Sequence, residues 1–118
     1  MDTTNPSQFS VSATSLAAAL GWPCPPLLLD VRKNGAFAES TCMLPGALHR
    51  DPFAVAHWGQ SLRHASLVVV HCVHGHEVSI NTMLALRQMG IDARYLEGGI
   101  EGWRTQGLPV THKPQVQS

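Results

Sequence analysis

Cys72 stands in the segment His71-Cys72-Val73-His74-Gly75-His76-Glu77-Val78-Ser79, between the apolar run Leu67-Val68-Val69-Val70 and a helical pattern that reaches Gly90. A cysteine that ends a buried strand and opens a loop onto a helix N-terminus faces outward-pointing backbone N–H groups. Their dipoles stabilise a thiolate and hold an anion beside it. An inert buried thiol is the plain alternative for a lone cysteine. The strand–loop–helix setting favours a nucleophile.

The side chains around Cys72 set the terms of that chemistry. Glu77 has two readings. Pointing inward, at about 4 Å from a thiolate, it would cost on the order of 4 kcal/mol at an effective dielectric near 20. It would also repel thiosulfate, favouring a less anionic donor or a protein persulfide. Pointing outward, it solvates the rim. His74 and His76 alternate along the loop, where a protonated imidazole would offset that charge. His71, on the strand end, is read as a hydrogen-bonded supporting residue, not an acid or base. No metal site is expected: His71, Cys72, His74, His76 and Glu77 are too close in sequence to converge on one ion at about 2.0–2.3 Å. Asp30 and Arg32 are supporting residues, the aspartate bonding local amides and the arginine pairing with a carboxylate. Cys24 and Cys42 read as packing residues. Either would serve as a resolving thiol only within about 7 Å of Cys72 by Cα.

The elements that must position these residues alternate. A short strand around Phe9 and Val11 leads to a helix capped by Ser12 or Thr14 and running through Leu20, which Gly21 stops. Leu27 to Val31 and Leu67 to His71 are continuous apolar runs, as in strands covered on both faces. Between them lie a short helix at Asn34–Glu39, a turn through Leu44-Pro45-Gly46-Ala47-Leu48 into a brief strand, and a helix from Phe53 to Leu62 with Pro52 at its start. Ser79–Met89 is an amphipathic helix with Ile80, Met83 and Leu84 inward. Ala93–Leu96 is the last strand, and Ile100–Gln106 a terminal helix anchored by Trp103. Such alternation predicts a parallel α/β sheet covered on both faces.

At 118 residues, with 44% hydrophobic and 14% charged residues, the chain fits one soluble domain with a real core. Eight basic and eight acidic residues cancel, so neither a nucleic-acid nor a membrane-surface partner is expected. The first residues lack the basic and apolar regions of a signal peptide, and no apolar run nears the roughly 18 residues of a membrane span. Cysteines at 24, 42 and 72 form neither a CxxC pair nor an even disulfide set. A reducing cytoplasm is the simplest reading.

Four motifs in order resemble the rhodanese-like domain: Leu29-Asp30-Val31-Arg32, Leu44-Pro45-Gly46-Ala47, the Cys72 loop, and Leu96-Glu97-Gly98-Gly99-Ile100-Glu101-Gly102-Trp103. The resemblance covers residues 8–110, with 1–7 and 111–118 as loose tails. It implies a five-stranded, mostly parallel sheet with helices on both faces. It also implies sulfane-sulfur transfer through a Cys72 persulfide, without a cofactor, with the backbone of Val73, His74, Gly75, His76, Glu77 and Val78 as the anion-binding loop. The partners would be a small sulfur donor and acceptor or a persulfide-carrying protein.

The loop departs from the family's usual Cys-x-x-Gly-x-Arg-Ser/Thr. In one register Glu77 replaces the arginine and Val78 the hydroxyl. In the other, preferred because it buries Met83 and Leu86 instead of Asn81, Ser79 supplies the hydroxyl and Val78 stands for the arginine. The longer register brings in a second reading, a thiol-dependent oxyanion reductase or a phosphatase-like enzyme. The missing arginine fork weakens it. A third reading is a catalytically inactive binding or metal-sensing module.

Overall fold

The computed structural model describes residues 5–113. Five strands form one sheet: β1 (Ser10–Val11), β2 (Leu27–Asp30), β4 (Leu48–His49), β5 (Val68–His71) and β6 (Ala93–Leu96). Their order is β1-β6-β5-β2-β4, and every pairing is parallel. β3 (Cys42–Met43) and β7 (Thr111–His112) make a separate antiparallel ribbon. The helices are α1 (Ala13–Ala19), α2 (Asn34–Glu39), α3 (Val55–Trp58), α4 (Glu77–Gln88) and α5 (Gly99–Thr105).

Alternation along the two central strands sorts the core into two layers. Leu29, Val31, Val68, Val70, Ala93 and Tyr95 face α4, meeting Met83 and Leu86. Leu28, Val69 and Leu96 face the other way, onto Leu16 of α1 and Ile100 and Trp103 of α5. Both faces of β2 and β5 are therefore buried, which is why these segments read as unbroken apolar runs. Burying a Leu- or Val-sized side chain stabilises by about 1.5–3 kcal/mol, so these layers dominate the folding free energy.

Local signals account for some helix ends. The Ser12 hydroxyl accepts from the Ser15 amide at 3.1 Å and so starts α1. Trp103 is buried and donates its indole N–H to the Pro109 carbonyl at 2.7 Å, holding the chain after α5. The expected helix over 53–62 is broken into a 3₁₀ turn at Pro52–Ala54, the single turn α3, and a second 3₁₀ turn at Gly59–Leu62. Its packing explains the break: a Cβ on Gly59 would lie 3.0 Å from both Leu86 Cδ2 and Met89 Sδ, so this backbone rests directly on α4.

The expected C-terminal tail is corrected as well. Thr111 and His112 pair with Met43 and Cys42, the Lys113 amide donates to the Thr41 carbonyl at 2.8 Å, and Lys113 Nζ donates to the Phe37 carbonyl at the end of α2. At the other end, Asn5 caps a 3₁₀ turn at Pro6–Phe9. Residues 1–4 and 114–118 of the expected tails lie outside the described residues. Cys24 is exposed, not a packing residue, while Cys42 is half-buried. Among the described residues no helix is long and apolar enough to cross a membrane.

Candidate active site

Register places the polar residues at one edge of the sheet. Asp30 pairs with His49 of β4 on one side and with His71 of β5 on the other, so three polar side chains stand in a row at the C-terminal ends of parallel strands. In open α/β sheets this edge is where ligands bind. Cys72 follows directly after the row.

Asp30 and Arg32 form a buried pair. Arg32 Nη2 lies 2.7 Å and Nε 3.0 Å from Asp30 Oδ2, and the Arg32 amide donates to Asp30 Oδ1 at 3.1 Å. Nη2 also donates to the Cys42 carbonyl at 3.0 Å. Nε and Nη2 of the guanidinium are thus engaged within the protein. His71 is wholly buried, with Nδ1 3.2 Å from the Cys72 carbonyl and Nε2 3.9 Å from Asp30 Oδ2. A nitrogen facing a carbonyl must carry the proton, so Nδ1 donates, and Nε2 is left without a hydrogen-bond partner. Burial pushes the His71 pKa below 6.5, with Asp30 pulling the other way. His71 is therefore neutral at pH 7.

Cys72 is 6% exposed, and its Sγ lies 3.2 Å from the Ser79 hydroxyl. Ser79 is buried on the first turn of α4, and its hydroxyl also lies 3.4 Å from the His76 carbonyl. Met83 and Leu86 are buried and Asn81 is exposed, which agrees with the longer loop register. The helix begins two residues earlier than expected, so Glu77 and Val78 belong to its first turn and only Val73–His76 is irregular.

The loop's polar groups are divided between two sides. The Cys72 and Val73 carbonyls accept from the Ile100 and Glu101 amides of α5, each at 3.0 Å. Among the described residues, no backbone N–H from Val73 through Ser79 finds an acceptor in the protein, and the first turn of α4 has no side-chain cap. The first N–H groups of a helix have no intrahelical acceptor. A run of them at a helix N-terminus is a ready receptor for negative charge. Gly75 makes the loop's path possible: its φ is +73°, and a Cβ there would stand 2.6 Å from the Gly98 nitrogen and 2.7 Å from the Leu96 carbonyl oxygen.

A cavity of about 250 Å³ opens onto the thiol, lined by Arg32, Lys33, Cys72, His74, His76 and Glu77, with Ala36, Val73 and Val78 between them. His74 and His76 are exposed, their ring centres 6.0 Å apart. Glu77 is also exposed and lines the mouth, so of its two readings the rim position is the one observed. Among the described residues, no three His, Cys, Asp or Glu side chains are grouped so as to hold a metal. A second cavity of about 340 Å³ adjoins the first and shares Lys33, Glu77 and Val78 with it. Its other walls include Phe53, Val55, Asn81 and Thr82.

Sequence reasoning missed Lys33 and Phe53. Both lie in segments that follow strands β2 and β4 at the edge that carries Cys72, and that placement is the signal that could have found them.

The family model of the rhodanese-like domain matches residues 12–106. The chain belongs to the rhodanese-like family. Among curated proteins no relative matches it. Solved structures share this rhodanese-like fold. A protein from Lactobacillus plantarum is 26% identical over 90% of each chain, with a TM-score of 0.77. The thiosulfate sulfurtransferase of Pseudomonas aeruginosa is 23% identical with a TM-score of 0.73, over 86% of this chain but 19% of that larger one. A possible tyrosine phosphatase from Rhodopseudomonas palustris superposes with a TM-score of 0.75 at 15% identity, covering 94% of this chain and 97% of that one. At such identities the last two speak for the fold alone.

Proposed function

We propose that the protein is a sulfurtransferase that carries a sulfane sulfur on Cys72. The observation that carries this reading is the buried thiol at the floor of a small cavity, beneath a run of amides with no acceptor of their own. The Cys72 thiolate attacks the outer sulfur of a thiosulfate or persulfide donor. The donor's S–S bond breaks, and sulfite or a thiolate leaves with the electron pair. The cysteine is left as a persulfide, which a thiophilic acceptor then attacks in turn. Amides of Val73–Ser79 stabilise the negative charge that moves through the site, and the Ser79 hydroxyl, which accepts from the neutral thiol, turns from the His76 carbonyl to donate to sulfur once the thiolate forms. Asp30, Arg32 and His71 act beneath the loop as supports. The chemistry asks for no cofactor. Small donors and acceptors, or a persulfide-carrying protein, are the partners, and three unpaired cysteines suit the reducing cytoplasm.

Phosphoryl transfer or oxyanion reduction is the weaker reading. An arginine fork would be needed at the loop, but Val78 occupies that position. The arginine at the cavity wall, Arg32, is committed to Asp30 and Cys42. An inactive binding module would use the unpaired amides as an anion site but would leave the Cys72 thiol beside them without a role.

Intact-mass measurement after incubation with thiosulfate, and separately with glutathione persulfide, tests the proposal. One added sulfur is expected, removed by cyanide and absent in Cys72→Ser. No adduct from either donor would overturn it.

A further inference from the structure

Lys33 and Glu77 are exposed, line the cavity that opens onto Cys72, and recur in the adjoining one. Among the described residues neither takes part in an ion pair. One positive and one negative group therefore stand free at the same mouth, with an apolar wall segment, Val78, shared by both cavities. Such a pair gives a doubly charged oxyanion no net attraction, because Glu77 repels what Lys33 draws in. It matches a small molecule that carries both charges. The size agrees: about 250 Å³ is below the roughly 300–1,000 Å³ of sites for larger ligands.

We propose that the sulfur donor is the persulfide of a free α-amino acid thiol, its ammonium group held by Glu77 and its carboxylate by Lys33. This deepens the sulfurtransferase reading and rests on it. The ligand's two charges sit at the rim and its sulfur chain points down to Cys72. The Cys72 thiolate attacks the terminal sulfur of R–S–S–H, a bond forms between the two sulfurs, and the donor's S–S bond breaks. The amino-acid thiolate R–S⁻ leaves with the electron pair, and the proton stays on the new Cys72 persulfide. Charge and oxidation state balance without any further reagent. Discrimination comes from the rim, and the amide cradle below serves any sulfur donor.

The experiment compares three donors, each made from sulfide and the matching disulfide: cysteine persulfide, N-acetylcysteine persulfide and cysteine methyl ester persulfide. The rate of sulfur gain on Cys72 is read by rapid quench and intact mass. Wild type should lose roughly fivefold with either blocked donor, an effect in keeping with exposed charge pairs, and the loss should shrink at high salt. In Glu77→Gln the free and N-acetyl donors should differ only by their intrinsic reactivity, and in Lys33→Met the free and ester donors likewise. Intrinsic reactivities cancel when wild-type and variant ratios are compared. Ratios that are the same in wild type and variants would overturn this proposal while leaving sulfur transfer intact. Failure of all three donors to load Cys72, with thiosulfate also failing, would overturn the underlying reading and this proposal with it.

Discussion

Gly75 and Gly90 offer a matched pair of perturbations. Both have positive φ, +73° and +85°, so alanine at either position adopts a left-handed conformation that costs about 1–2 kcal/mol. They differ in what the new Cβ meets. At Gly90 nothing lies within 4 Å. At Gly75 the Cβ would stand 2.6 Å from the Gly98 nitrogen, 2.7 Å from the Leu96 oxygen and 3.0 Å from the Gly99 nitrogen. All three are backbone atoms that no rotamer change can clear. Overpacking of this kind adds roughly 1–3 kcal/mol. Gly90→Ala should therefore cost about 1–2 kcal/mol and Gly75→Ala about 2–5 kcal/mol, read from urea midpoints. In melting temperature the expected scale is roughly 4 °C per kcal/mol for a domain of this size. Function should separate the two further. Gly90→Ala loads sulfur at the wild-type rate. Gly75→Ala, whose loop must shift by several tenths of an ångström to clear the overlap, loses at least about tenfold, because amides aimed at developing charge act only at hydrogen-bond distance. Equal stability costs in the two variants, with normal loading in Gly75→Ala, would refute the idea that this loop is shaped against the Leu96–Gly99 turn.

Three further outcomes follow from the site. Ser79→Ala removes the hydroxyl 3.2 Å from Sγ; sulfur loading should slow roughly tenfold, equivalent to about 1.4 kcal/mol of barrier, and an unchanged rate would exclude a role for the hydroxyl. Arg32→Ala leaves the buried Asp30 carboxylate unpaired, and should destabilise by about 3–5 kcal/mol in chemical denaturation, while Asp30→Leu with Arg32→Met should recover most of the loss. Because burial lowers the His71 pKa below 6.5, the unfolded chain takes up this proton first as pH falls. The contribution of His71 to stability is therefore full above about pH 6.5 and declines below it, by at most about 1.4 kcal/mol per pH unit. His71→Asn keeps an N–H for the Cys72 carbonyl and cannot titrate, so its stability curve should flatten relative to wild type between pH 6.5 and 5; parallel curves would contradict the buried neutral imidazole.

Leu27–Asp30 and Val68–His71 were legible because both their faces are buried, which leaves unbroken apolar runs. Ser79 was legible through its helix: fitting the apolar face to Met83 and Leu86 favoured the register in which its hydroxyl meets Cys72. Two-residue strands carry no period, so the ribbon of Cys42–Met43 with Thr111–His112 left no trace, and its partners Met43 and Thr111 lie 68 residues apart. The break in the 53–62 helix depends on Gly59 resting against Leu86 and Met89, a contact between separate elements. Lys33 and Glu77 share a cavity only because β2 and β5 are neighbours in the sheet. No local pattern encodes that adjacency.

The Leu96–Trp103 motif was legible as a family mark, and its physical role emerges from the loop it supports. Gly98 and Gly99, with φ of +81° and +61°, turn the chain so that the first amides of α5 point back at Cys72 and Val73. A Cβ on Gly99 would lie 2.6 Å from the Cys72 carbonyl oxygen and collide with the Val73 carbonyl as well. The carbonyls of the cysteine loop are thus satisfied from behind, and a peptide unit whose carbonyl is fixed has its N–H fixed on the opposite side. Holding the carbonyl face is what aims the amide face. The loop's carbonyls are therefore held without any charged side chain, and valine at position 78 is compatible with the loop's path. In the proposed sulfurtransferase, selection among donors then falls to the side chains at the mouth, where Lys33, His74, His76 and Glu77 stand.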